Sequence, residues 1–176
     1  MPTIKAFRMD GLGNKFVIVD RRKDIVNITK EKIIHLGNLE SFHREIGFDQ
    51  IIFIEREIDK AFPITIFNSD GGEVSACGNG SRCVAYLLGK DLNMKEVKLK
   101  TNNRLLNAKI VGDLDVELAM GKPIFEWNKI PLSKNLDHSN VTLNIEDKVF
   151  TDGFCLNVGN PHIIFFVKDC FEYDLK

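Results

Sequence analysis

Residues 68–89 constrain the fold more than any other part of the chain, because a strand pattern, a glycine-rich turn and a helix pattern follow one another there. The preceding run Phe62–Asn68 alternates and is rich in β-branched and aromatic residues, which predicts a strand. After the turn, apolar residues recur one helical turn apart between positions 83 and 88, and Gly89 suits the position after a helix end. The pattern predicts a short buried helix from residue 79 or 80 to residue 88.

A cysteine lies where this turn becomes the helix. Backbone N–H groups and the positive end of the helix macrodipole favour anions at that point, so they would stabilise a Cys77 thiolate or hold a carboxylate. Gly78 and Gly80 allow a ligand to approach the backbone closely. The arrangement suits proton transfer at the α-carbon of an amino acid. The structural alternative, a buried small hydrophobe, fits Cys83 better than Cys77, whose neighbours are small and polar.

Composition narrows the class of protein. A formal net charge of −1 over 176 residues argues against nucleic-acid binding, which requires a basic face. No apolar run approaches the length of a membrane span, and the first residues lack the apolar core of a signal peptide. We therefore expect a cytoplasmic protein without a membrane partner. The four cysteines lack the spacing of a metal site. Their even number would permit disulfides, but without a secretion signal we expect reduced thiols.

The chain pattern predicts many short strands with few helices, and a boundary between two domains, residues 1–119 and 120–176. Thr29 is suited to cap a helix reaching about Arg44. Residues 121–140 show little periodicity and carry two prolines, which places a domain crossing there. The predicted strands are Thr3–Met9, Phe16–Val19, Gln50–Glu55, Phe62–Asn68, Glu96–Thr101, Arg104–Val111, Asp113–Met120, Val141–Ile145, Lys148–Phe150, Phe154–Val158 and His162–Val167.

Three separated motifs resemble those of the diaminopimelate epimerase family. They are Met9–Asp20, which contains Gly-Leu-Gly-Asn, the cysteine motif Asn68–Cys83, and Gly159–Val167, which begins Gly-Asn-Pro-His. They occur in the order that the family has. The resemblance covers essentially the whole chain, which in turn corresponds to about the first two-thirds of such an enzyme.

The resemblance implies an α+β fold of two pseudo-symmetric domains, each a mostly antiparallel sheet curled around a central helix, with the second domain incomplete. It also implies an isomerase that interconverts LL- and meso-diaminopimelate in lysine and peptidoglycan precursor synthesis. Two cysteines of the family move the protons, with neither pyridoxal phosphate nor a metal. The implied partner is this small-molecule substrate, and a homodimer is left open.

The resemblance also implies the roles of individual residues. Cys77 matches the thiol that donates the proton in the LL-to-meso direction, and His162 matches a histidine thought to tune the acidity of the cysteine pair. The structural alternatives are turn residues for Asn14 and Asn68, a solvent-facing strand residue for Gln50, the residue before a proline for Asn160, and a core histidine for His162. The residues that match substrate-binding positions are Asn14, Gln50, Asn68, Gly78, Asn79 and Asn160.

Two departures from the family pattern affect the interpretation. Lys15 stands where the family usually has Asp, and either alters the local charge or faces solvent. Neither Cys155 nor Cys170 has the Gly-x-Gly-x-Cys setting of the family's second cysteine. The chain is therefore expected to be truncated and poorly active alone. The alternatives are another racemase of the same fold, such as a proline racemase-like protein, or a non-catalytic remnant that acts as an interaction protein.

Overall fold

A computed structural model of the chain describes residues 5–24, 26–38, 40–41, 44–45 and 47–173. Contacts divide the chain into two compact units, Met1–Met120 and Gly121–Lys176. Each unit is described by itself below.

The first unit is built on an eight-stranded sheet. Its strands are β1 (Ala6–Gly11), β2 (Asn14–Asp20), β5 (Gln50–Ile54), β6 (Phe62–Asn68), β7 (Glu73–Val74), β8 (Glu96–Lys100), β9 (Leu105–Gly112) and β10 (Asp115–Ala119). Their order in the sheet is β1-β2-β5-β6-β8-β9-β10, and β7 also pairs with β6. The pairs β2–β5 and β6–β8 are parallel and the other neighbours are antiparallel. The predicted opening hairpin, the β5–β6 pair and the β8-β9-β10 meander are confirmed.

Helix α2 (Gly78–Leu92) is the centre of this unit. It contacts β1 and β2 at one end of the sheet order and β9 and β10 at the other, so the sheet is curled around it. Alternate residues of the strands face the helix, and the largest core cluster includes Phe16, Ile18 and Ile52 from the sheet with Val84 and Leu88 from α2. The predicted α+β class with one central buried helix is confirmed.

The predicted end of α2 at residue 88 was wrong, because the helix continues to Leu92. Asn93 takes the left-handed conformation, with φ 54°, and its backbone N–H donates to the Gly89 carbonyl. Gly89 lies inside the helix, where an added Cβ would come 2.7 Å from Ile110 Cδ1 and 2.8 Å from the Met94 carbonyl oxygen. This glycine permits close packing and does not end the helix.

Helix α1 (Lys30–Gly37) covers the other face of the sheet through Ile33. Thr29 is its N-cap, as predicted, and its side chain accepts a hydrogen bond from the Lys32 N–H. The predicted end near Arg44 was wrong. The helix ends at Gly37, because Asn38 caps it with bonds from its backbone and side-chain N–H groups to the Ile34 carbonyl. The short strands β3 (Glu40–Ser41) and β4 (Arg44–Glu45) follow.

The second unit contains a three-stranded antiparallel sheet, β11 (Val141–Ile145), β12 (Lys148–Asn157) and β13 (Pro161–Ile164), followed by a short 3-10 helix, Cys170–Glu172. The strand β11 agrees with its prediction. The prediction of two separate strands within β12 was wrong. Two residues of β12, Thr151 and Asp152, lie opposite one of β11, and Asp152 has φ 59°, so a bulge interrupts the pattern without ending the strand. Ile130, Val141 and Cys155 form the core.

No helix within the described ranges is long and apolar enough to cross a membrane.

Candidate active site

Strand directions in the first unit bring several predicted site residues to one edge of the sheet. Strands β2 and β5 are parallel, so Asn14 and Gln50, the first residues of each, lie near the same edge. Strand β6 runs antiparallel to β5 and ends there with Asn68, directly opposite Gln50. Spacing along the sequence did not predict this assembly, because it depends on long-range pairing.

Cys77 is the N-cap residue of α2. Its Sγ accepts a hydrogen bond from the Gly80 N–H at 3.4 Å, and its carbonyl accepts one from the Ser81 N–H at 2.9 Å. The first N–H groups of a helix have no carbonyl one turn earlier, so the Gly78 and Asn79 amides are suited to hold an anionic ligand beside the sulfur. The predicted position of Cys77 at the start of a helix is confirmed, and the thiol is half-buried.

The other cysteines differ from Cys77 in their surroundings. Cys83 lies in the main core, where burial raises the pKa of its thiol. Burial likewise raises the pKa of Cys155, which belongs to the core of the second unit. Cys170 is exposed. Among these four thiols, only Cys77 combines partial burial with a place at a helix N-terminus.

Two pairs of carboxamide side chains are hydrogen-bonded in this region. The Asn79 side-chain N–H donates to Asn14 Oδ1 at 2.9 Å. The Gln50 side-chain N–H donates to Asn68 Oδ1, also at 2.9 Å. Gln50 Oε1 is buried and has no hydrogen-bond partner in the described part of the chain. Such an oxygen carries a desolvation cost unless a ligand donor or water reaches it.

Two residues that the sequence analysis did not single out hold this arrangement. Asp49 Oδ2 accepts from the Lys15 backbone N–H at 2.8 Å and from the Asn14 side chain at 3.4 Å. Arg82 donates to Asn79 Oδ1. Arg82 lies three residues after Asn79 on α2, and this spacing places side chains next to each other. Lys15 is half-buried, and its backbone bond to Asp49 is independent of the side chain at that position.

The remaining predicted site residues, Asn160 and His162, belong to the second unit. The Asn157 side chain shapes the turn before them, since its Oδ1 accepts from the Gly159 N–H at 2.7 Å. Gly159 has φ 120°, a conformation that favours glycine. His162 pairs with Leu156 across β12 and β13 and is exposed, so it does not belong to the core formed by the described residues of this unit. Asn160 is also exposed.

Within the ranges that the structure covers, no three His, Cys, Asp or Glu side chains are grouped so that they could hold a metal ion.

Comparison with known proteins identifies the family. The family model described as "Diaminopimelate epimerase" matches residues 6–126. A diaminopimelate epimerase of Pelagibacter ubique is 47% identical over 176 residues, which are 98% of this chain and 63% of that protein. One from a Wolbachia of Brugia malayi is 37% identical over 174 residues, or 96% of this chain and 62% of its own length. The chain thus spans somewhat less than two thirds of the curated relatives it matches.

Solved structures agree on the fold. A probable proline racemase from Agrobacterium radiobacter superposes with a TM-score of 0.60 at 15% identity, over 93% of this chain and 52% of that one. A hydroxyproline epimerase from Agrobacterium vitis gives 0.59 at 13% identity, over 92% and 51%. At these identities the likeness concerns the fold alone, which the chain shares with these two proteins. By its family model and its relatives, the chain belongs to the diaminopimelate epimerase family.

Proposed function

We propose that the protein is a diaminopimelate epimerase, which interconverts the LL and meso isomers for lysine and peptidoglycan precursor synthesis. The observation that carries the proposal is the Cys77 thiol at the N-terminus of α2, beside paired carboxamides, in a chain of this family. Following the family resemblance, the proposal assigns proton transfer to thiols, without pyridoxal phosphate or a metal. A cytoplasmic location fits, because a catalytic thiol has to stay reduced.

The α-proton of an amino acid is weakly acidic, so the site has to stabilise the negative charge that develops on the carboxylate. The N–H groups of Gly78 and Asn79 and the positive end of the α2 dipole supply donors of the right kind for this charge. Donors fixed in a folded helix need no reorganisation during the reaction.

Cys77 would act on one face of the α-carbon. As a thiol it donates its proton to the carbanion in the LL-to-meso direction, and in the reverse direction its thiolate removes the α-proton of the D-centre. The hydrogen bond from the Gly80 N–H fixes the position of Sγ at the start of α2.

The polar side chains would bind the rest of the substrate. Asn14, Gln50, Asn68 and Asn79 offer carboxamide donors and acceptors to ammonium and carboxylate groups, and the unpartnered Gln50 Oε1 supports a polar ligand here. The motif alone assigns substrate binding to Asn160 and the tuning of thiol acidity to His162.

The test is proton NMR of meso-diaminopimelate with the 176-residue polypeptide in D₂O. Cys77 should exchange only the D-centre proton, so the combined signal of the two α-protons should fall by about half. No LL isomer should form, because neither Cys155, in the core of its unit, nor Cys170 has the setting of the family's second cysteine.

Matched variants separate the thiol from other causes of exchange. Cys77→Ser should abolish exchange, and Cys170→Ser, at an exposed thiol, should leave it unchanged. Proline in place of diaminopimelate should show no exchange. Formation of the LL isomer by this polypeptide would contradict the single-thiol assignment, and exchange that survives Cys77→Ser would remove Cys77 from the mechanism.

A further inference from the structure

We infer that Arg82 and Asp49 are positioning residues, which fix the orientation of the Asn79 and Asn14 carboxamides through one directed chain of hydrogen bonds. The chain starts at the Arg82 guanidinium, which donates to Asn79 Oδ1. Asn79 Nδ2 donates to Asn14 Oδ1 at 2.9 Å, and Asn14 Nδ2 donates to Asp49 Oδ2 at 3.4 Å. The role assigned to the two asparagines in substrate binding rests on the proposed function.

The charges at the two ends determine the direction of every bond. A carboxamide has a donor end and an acceptor end of nearly the same shape, so packing alone does not select one orientation. If the Asn79 amide turned over, its NH₂ group would face the Arg82 guanidinium and its oxygen would face Asn14 Oδ1. If both amides turned over, Asn14 Oδ1 would face the Asp49 carboxylate. Each of these arrangements opposes donor to donor or acceptor to acceptor, so the arrangement seen is the only one that satisfies the chain.

Asp49 is itself held in place by the backbone. Its N–H donates to the Lys15 carbonyl at 2.9 Å, and its Oδ2 accepts from the Lys15 N–H at 2.8 Å. Its carbonyl accepts from the Ser69 N–H at 3.0 Å, which connects it to the turn after β6. Asp49, the acceptor at the end of the hydrogen-bond chain, is therefore anchored both to β2 and to the turn after β6.

The fixed orientation leaves defined groups for a ligand. A carboxamide offers two N–H donors and two lone pairs. Asn79 and Asn14 each use one donor and one lone pair in the chain, so each keeps one of both kinds. A zwitterionic amino acid presents a carboxylate and an ammonium group, which require a donor and an acceptor respectively. Arg82 and Asp49 thus decide on which side of each asparagine these groups are found.

The first test observes the side-chain NH₂ signals of Asn14 and Asn79 in the ¹⁵N-labelled 176-residue polypeptide and needs no substrate. Arg82→Met should shift the signals of both asparagines, because the loss of one end reaches the second amide through the first. Arg82→Lys, which keeps a charged donor, should restore part of the shift. Lys90→Met, on the same helix and paired with Asp113, removes the same charge and should move neither signal.

The second test follows α-proton exchange of meso-diaminopimelate. Arg82→Met should raise KM roughly tenfold, as expected for the loss of one hydrogen bond to a charged group of the substrate, with a much smaller change in kcat because Cys77 is untouched. Arg82→Lys should recover part of the affinity. A fall in kcat at unchanged KM, or full activity in Arg82→Met, would overturn the positioning role.

The two tests fail in distinguishable ways. If the unmodified polypeptide exchanges no α-proton, the result contradicts the activity proposed for it. The side-chain NMR signals still show whether the chain of hydrogen bonds from Arg82 to Asp49 is formed. If Arg82→Met moves the Asn79 signals and leaves those of Asn14 in place, the orientation of one carboxamide does not depend on the other, and the inference is wrong. Equal shifts in Lys90→Met would also overturn it, because the effect would then be one of net charge.

Discussion

Gly80 offers the sharpest test of how α2 packs against the sheet. A Cβ at this position would lie 2.5 Å from Ile52 Cδ1 and 3.2 Å from Phe16 Cε1, and both of these side chains are fully buried. Protein cores are close-packed, so room for the methyl group comes only from displacing one of these neighbours. We expect Gly80→Ala to lower the free energy of unfolding by about 1–2 kcal/mol, since overpacking costs about 1–3 and better helix propensity offsets up to about 1.

A double-mutant cycle attributes this loss to one contact. Ile52→Val removes Cδ1, the atom nearest to the added methyl group, and by itself should cost about 1 kcal/mol. In the double variant the new methyl group occupies the space that Cδ1 has left. The double variant should therefore be about as stable as Ile52→Val alone, which corresponds to a coupling of about 1–2 kcal/mol.

The assay is urea unfolding followed through NMR cross-peaks of α2, because the only tryptophan, Trp127, belongs to the second unit. Gly78→Ala is the matched control in the same helical turn. Its Cβ would meet Met120 Sδ at 3.3 Å, the end of a flexible side chain, so a change within about 0.5 kcal/mol is expected. Additive losses in the double variant, or an equal loss in Gly78→Ala, would refute the proposed packing contact.

Three further outcomes are expected from other parts of the chain. A hydrogen bond from Arg22 lowers the pKa of Asp20, so this pair stabilises the fold above the unfolded Asp pKa of about 4, and the contribution is lost as the pH falls through the lowered pKa of the folded state. Arg22→Met should therefore flatten the loss of unfolding free energy between pH 5 and pH 3. An unchanged slope would exclude the pair as its cause. Asn93→Gly should match or exceed the parent in thermal stability, because Asn93 already holds a left-handed φ, and a lower Tm would contradict that cap. Iodoacetamide should alkylate exposed Cys170 well before Cys83, whose pKa is raised by burial, and peptide mapping of the folded protein that shows equal labelling would contradict its burial.

Local patterns predicted the strand, turn and helix around Cys77 because each depends on neighbouring residues. The alternation of Phe62–Asn68 and the periodicity after the turn are properties of a single segment, and both elements are present. The helix ends were harder to predict for a physical reason. Gly89 was expected to follow the end of α2, yet it lies inside that helix against Ile110, whereas Gly37 is the last residue of α1. A close neighbour does not distinguish the two glycines, because a Cβ at Gly37 would also come 2.8 Å from Ser69 Cβ. The difference is the position of the capping residue, which is Asn38 directly after Gly37 in α1 and Asn93 four residues after Gly89 in α2.

The assembly of the candidate site shows the same limit more clearly. The sequence motifs named Asn14 and Asn79 separately, but nothing in the motifs shows that one carboxamide donates to the other. That contact depends on the parallel pairing of β2 with β5 and on the packing of α2 against both, which join residues 65 positions apart. Arg82 and Asp49 escaped notice because a motif records which residue types occur and not which atoms meet. Both residues do lie next to predicted substrate-binding residues in the sequence, Arg82 at helical spacing from Asn79 and Asp49 directly before Gln50, and such a neighbouring charge can orient a polar site.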